Sequence, residues 1–178
     1  MASFSIPPSA LIFLLFSTSL FPLPSTSQTS SPLDNICKQT KNPSFCFDVL
    51  GPYSSATLQD LARIVIDTNI ASAIRTISKI ESLLPTTTDP NVKVVYSLCS
   101  NYYSAAISAL NAAKDKLESG EYGVLNSAAG TVSRDAAACQ QTFSIAPSHP
   151  IPIATENNEL DLLSNIFIVV SRILSGSA

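Results

Sequence analysis

Between Leu58 and Leu174 apolar residues recur at steps of three and four in four separate stretches. The first, running from about Leu58 to Leu84, carries Ala62, Ile66, Ile70, Ala73, Ile77, Ile80 and Leu84 on one line. The second carries Val92, Tyr96, Cys99, Tyr103, Ala106, Leu110, Ala113 and Leu117, and the third Tyr122, Leu125, Ala129, Val132, Ala136, Cys139 and Phe143. The fourth carries Leu160, Leu163, Phe167, Val170 and Leu174. An α-helix turns about 100° per residue, so this spacing keeps one apolar stripe on one side of each helix. A strand needs alternation by two, and none is sustained. Upstream, a short pair of helical segments is predicted at Leu33 to Thr40 and Ser44 to Leu50, broken at Lys41-Asn42-Pro43 and closed by Gly51-Pro52.

The connections set the topology. The links at Pro85 to Pro90 and at Ser119-Gly120 are too short for anything but antiparallel neighbours. The longer stretch from Ser144 to Thr155, with Pro147, Pro150 and Pro152, can still bring the last helix back alongside. The expected fold is therefore all-α: an up-down-up-down four-helix bundle preceded by an N-terminal helical hairpin. With 178 residues the chain has enough length for one domain with a real core.

The first 27 residues contain no charged residue or histidine, and Ala10 to Leu23 form an apolar block followed by Ser25-Thr26-Ser27. The block is too short and too interrupted by proline for a membrane span, and small residues follow it, so residues 1–27 are expected to be a secretory signal peptide. The basic residues that usually open such a leader are missing. Residues 28–178 would then be the mature domain, secreted to the extracellular space. It would hold all 10 basic and 13 acidic residues, a net charge of −3, with no basic patch. Neither nucleic acid nor an anionic membrane surface is expected as a partner.

Export makes the four cysteines candidates for two disulfides, for which three pairings exist. Cys99 and Cys139 lie symmetrically about the Ser119-Gly120 turn, and Cys37 and Cys46 about the Lys41-Asn42-Pro43 break. Equal arms of an antiparallel pair bring the thiols level, so Cys37–Cys46 and Cys99–Cys139 are predicted. A metal site is not expected, because no C-x-x-C occurs and the lone histidine, His149, stands in a proline-rich loop.

Catalytic candidates are few. Ser148 and His149 are adjacent in a Pro-flanked loop, which holds side chains poorly for nucleophile and base. Carboxylates such as Asp60, Glu118, Asp135, Glu156 and Asp161 fall mostly off the apolar stripes, as solvated faces and helix ends require. The five glycines form no phosphate-binding loop. The chain is not expected to be an enzyme, and no cofactor is implied.

The run Cys99-x3-Tyr103-x2-Ala106-x3-Leu110-x2-Ala113, then Ser119-Gly120-Glu121-Tyr122, then Cys139-x3-Phe143, with Cys37-x8-Cys46 around Asn42-Pro43-Ser44-Phe45, resembles the plant pectin methylesterase inhibitor and invertase inhibitor family. The resemblance spans the whole mature chain. It implies a secreted plant protein of the cell wall that binds an enzyme one to one and blocks it, in the same stapled bundle. Invertase inhibitors of the family carry Pro-Lys-Phe after the hairpin turn, where this chain has Gly120-Glu121-Tyr122-Gly123-Val124. The resemblance is therefore closer to the branch that inhibits pectin methylesterase, with acid invertase as the alternative target. The chain departs from that branch too, having Asn101, Ala105 and Ser108 where relatives often place acidic residues, and Ser164 where some carry a further cysteine.

Asn101, Ser104, Ala105, Ser108, Ala112 and Asp115 line the side of the second long helix away from its apolar stripe. Small, weakly polar side chains cost little to desolvate when a protein docks. This face, with Asp67, Arg75 and Ser78 of the preceding helix, is the expected partner-binding surface. Two other classes of function compete with inhibition. A small-ligand carrier would need an internal cavity, which alternating Ala and large residues argue against. A non-inhibitory extracellular bundle would have no enzyme target.

Overall fold

The computed structural model of the chain describes residues 31–146 and 151–176. The expected leader at 1–27, Ser148 and His149 lie outside these residues. Helix starts are set by local chemistry. Helix α1 (Pro32–Cys37) is capped by the Ser31 hydroxyl, which accepts from the amide of Asp34, and α2 (Pro43–Leu50) by the Asn42 side chain, which accepts from Phe45. Both have proline in the first turn, where a missing N–H costs nothing. Thr57 caps α3 (Leu58–Leu83), and the Asp89 carboxylate, accepting from Asn91 at 2.7 Å, caps α4 (Pro90–Glu118).

The end of α4 is equally specific. Gly120 takes φ +76°, its amide donates to Leu117, and the amide of Glu121 reaches back to the carbonyl of Lys116 at 2.9 Å. That paired pattern needs a left-handed residue just beyond the helix, which glycine adopts without a Cβ clash. A 3₁₀ turn (Tyr122–Val124) then leads into α5 (Leu125–Thr142), and α6 runs over Ala154–Leu174.

The four long helices close a square in which α3 packs on α4, α4 on α5, α5 on α6, and α6 on α3. The α1–α2 hairpin lies against α6 and the start of α3. There the amide of Lys41 donates to the Asn165 side chain at 2.7 Å and its ammonium pairs with Asp161 at 3.1 Å. No strand occurs among the described residues. The all-α bundle with its N-terminal hairpin is thus the observed architecture, and the two disulfides are Cys37–Cys46 and Cys99–Cys139, with Cα separations of 5.3 and 4.7 Å.

All eight stripe residues read for the second long helix are buried in α4. In α3 the stripe is displaced: Ile70, Ile77 and Leu84 are only half-buried, while Leu61, Val65, Asn69, Ser72 and Thr76 are fully enclosed. The physical reason is that α3 is covered on two sides, by α4 and by α6. Its polar interior residues are largely satisfied locally or by α6: Asn69 donates to Val65, Thr76 to Ser72, and Ser72 to Glu159.

One buried polar relay joins three helices. The Tyr103 hydroxyl of α4 donates to Asn157 Oδ1 of α6 at 3.0 Å, and Asn157 Nδ2 donates to Gln140 Oε1 of α5 at 3.2 Å. Burial pushes the Tyr103 phenol well above its ordinary range, with the Glu156 charge adding to the effect, so it stays a donor. Tyr103→Phe keeps the ring but leaves Asn157 Oδ1 buried without that donor. The expected cost is about 1–3 kcal/mol, read as a melting temperature lower by roughly 2–10 °C. An unchanged melt would mean that the relay contributes nothing.

Candidate functional site

Asn101, Ser104, Ala105, Ser108, Ala112 and Asp115 are all exposed on the outer side of α4. The two hydroxyls among them are already spent, since Ser104 donates to Ser100 O at 2.9 Å and Ser108 to Ser104 O at 3.0 Å. Covering this face therefore strips little water-bound polarity. The 29 residues of α4 rise about 43 Å, so the face is long and narrow.

The positions expected on α3 divide between its two edges. Asp67 pairs with Lys114 of α4 at 2.7 Å, and about one turn away Arg63 pairs with Glu118 at 2.9 Å, so the α3–α4 border is charge-neutralised. Ser78 is exposed. Arg75 turns the other way and donates to Glu159 of α6 at 2.8 Å. The structure thus keeps Asp67 beside the α4 face and sets Arg75 on the opposite edge of α3.

On its other flank α4 meets α5 in a shallow groove of about 380 Å³, lined by Ala109, Ala112, Ala113 and Lys116 and by Val124, Ser127, Ala128 and Thr131. Val124 is 48% exposed at the mouth of this groove. The reading from sequence did not include the α5 wall. Its signal was present, because Ser127, Ala128 and Thr131 are small and stand just off the apolar stripe. Lys116 is held at the groove's end by Glu121, whose carboxyl lies below the usual range owing to hydrogen bonds from Lys116 and Ser119. A second groove, between α5 and α6, is lined by the carboxamides of Gln140, Asn157 and Asn158 with Asp161.

Among the described residues no three His, Cys, Asp or Glu side chains converge as a metal site. The three carboxylates of α6 are committed to cations: Glu156 to Lys79, Glu159 to Arg75 and Asp161 to Lys41. Burial works against ionised Glu156, but hydrogen bonds from Lys79 and the backbone hold its carboxyl below the usual range. The bundle is stapled by two disulfides and offers an outer helix face of small side chains. The sequence profile of "Plant invertase/pectin methylesterase inhibitor" matches residues 31–169, and the chain belongs to that family.

Particular relatives sharpen the likeness. The chain is 36% identical to "Pectinesterase inhibitor" of Actinidia deliciosa over 95% of its own length and 93% of the relative's. It is 30% identical to "Pectinesterase inhibitor 1" of Arabidopsis thaliana, over 93% of this chain and 92% of that one. Among solved structures, a mutant form of a pectin methylesterase inhibitor from Arabidopsis superimposes with a TM-score of 0.74 at 29% identity, over 81% of this chain and 97% of that one. A second pectin methylesterase inhibitor structure from Arabidopsis thaliana gives 0.63, also at 29% identity, over 82% and 97%.

Proposed function

We propose that the protein is a secreted inhibitor that binds a plant cell-wall pectin methylesterase one to one and blocks its cleft. The observation that carries this reading is the near full-length match to relatives named as pectinesterase inhibitors. The outer face of α4, extended over the α4–α5 groove, is the docking surface. A strip about 43 Å long and two helices wide approaches the ~800 Å² that one partner contributes to a standard interface. Its small side chains allow close approach of a rigid partner at low entropic cost. Asp67 and Ser78 border this surface, while Arg75 serves the α3–α6 edge. Residues 1–27 act as the export signal, residues 28–178 form the inhibitory domain, and no helix of the described residues is long and apolar enough to cross a membrane.

Adding the oxidised chain separately to a pectin methylesterase and to an acid invertase tests the reading. Methylesterase activity is expected to fall linearly to an endpoint at one inhibitor per enzyme, with invertase unaffected. Inhibition of invertase alone would reverse the assignment.

A further inference from the structure

Asp135 is the only carboxylate of α5, and it lies on the side that meets α4. Thr131, four residues before it, lines the α4–α5 groove, and Cys139, four residues after it, is bonded to α4, so all three share one stripe. Asp135 is half-buried, and its Oδ2 is shielded from water and accepts no hydrogen bond. A carboxylate oxygen so placed is costly when charged and much less so when the group is protonated.

Few charges face this position. The Cys99–Cys139 bond sets a register that puts Tyr103 level with Asp135, and α4 offers Tyr102 and Tyr103 there; Lys93 and Lys114 lie about 15 Å away along the helix. On α6 the nearby acids Asp161, Glu159 and Glu156 are tied to Lys41, Arg75 and Lys79, and Arg172 is similarly distant. Arg134 is the neighbouring cation, but its guanidinium donates to Thr131 Oγ1 at 2.9 Å on the exposed side. Burial pushes the Asp135 carboxyl above its ordinary value, and the Arg134 charge only partly opposes this.

We propose that Asp135 is a proton-uptake group built into the α4–α5 seam: closing the seam binds a proton there, so this group's own contribution holds the bundle more firmly in acidic than in neutral surroundings. The sign follows from the folded group being the weaker acid. Below the unfolded value both states are protonated and nothing is lost; as pH rises through the folded value, the cost of the buried charge sets in and stays. Glu121 and Glu156 act in the opposite direction, so the whole-protein profile mixes the two and a difference measurement is needed.

Thermal melts of the free, oxidised protein and of Asp135→Asn, taken from about pH 4 to about pH 7.5, isolate the effect because Glu121 and Glu156 cancel between the two. The variant is expected to melt a few degrees above the parent near neutrality, with the gap closing toward about pH 4. A variant that melts at or below the parent near pH 7 would overturn the proposal. A carbon-13 NMR titration of the Asp135 carboxyl in the unaltered protein decides the matter if the variant does not fold. Its midpoint is expected above about 3.9, the ordinary Asp value, and a midpoint at or below that value overturns the proposal. Neither measurement involves a target enzyme, so their outcome is independent of the inhibitory reading.

Discussion

Replacing Cys99 and Cys139 together by alanine is expected to lower the melting temperature by roughly 8–16 °C, from a loss of about 4 kcal/mol. The bond closes a loop of sequence separation 40 and holds the last turn of α5 to the first third of α4, with both cysteines fully buried. Without it the unfolded chain regains loop freedom, and the native core gains a cavity beside Tyr103 and Thr142. The same change at Cys37 and Cys46, whose separation is 9, should cost only about 2.5 kcal/mol. Its effect should also be local. Helices α1 and α2, of 6 and 8 residues, are too short to persist alone, so the hairpin would detach from α6 while the square of long helices stays closed. Scanning calorimetry gives the first difference and amide hydrogen exchange the second. Equal losses from the two double substitutions would contradict this division of labour between the staples.

The disulfides were legible because sequence symmetry about a turn is a geometric statement, and two antiparallel helices of equal rise must obey it. The α4 stripe was legible for a related reason: one dominant apolar line, unbroken from Val92 to Leu117, leaves a single way to face the core. Helix α3 was harder. Asn69, Ser72 and Thr76 look like surface residues by type, yet Asn69 and Thr76 donate to carbonyls of their own helix and Ser72 to Glu159, which lets α3 bury a second, polar stripe toward α6. The Tyr103–Asn157–Gln140 relay was hidden because it joins side chains from three helices whose relative heights no single stripe records. The same limit governs the proposed docking surface. Periodicity says which side of a helix is outside, and every α4 position read that way is exposed. It does not say which neighbour flanks that side: Arg75 pairs with Glu159 on the α6 edge of α3, and Val124 stands exposed at the α5 wall beside α4.

Ala105→Arg combined with Ser108→Arg is expected to weaken inhibition of pectin methylesterase roughly 100-fold or more while leaving the circular-dichroism melt within about 1–2 °C of the parent. Both positions are exposed and arginine is a strong helix former, so the bundle loses only the Ser108 bond to its own turn. In a complex, however, two guanidinium groups would have to be desolvated opposite a partner surface that met an alanine and a serine. An unpaired buried charge costs several kcal/mol, more than enough to remove a micromolar-to-nanomolar affinity from the assay range. Arg75→Ala is the matched control: it deletes an exposed ion pair worth about 0.5 kcal/mol on the α3–α6 edge and should inhibit as the parent does. Retained inhibition by the double arginine variant would remove the outer face of α4 as the contact. Loss of inhibition by Arg75→Ala alone would move the contact to the α3–α6 edge, where a partner would have to meet the Arg75–Glu159 pair and displace it or build upon it.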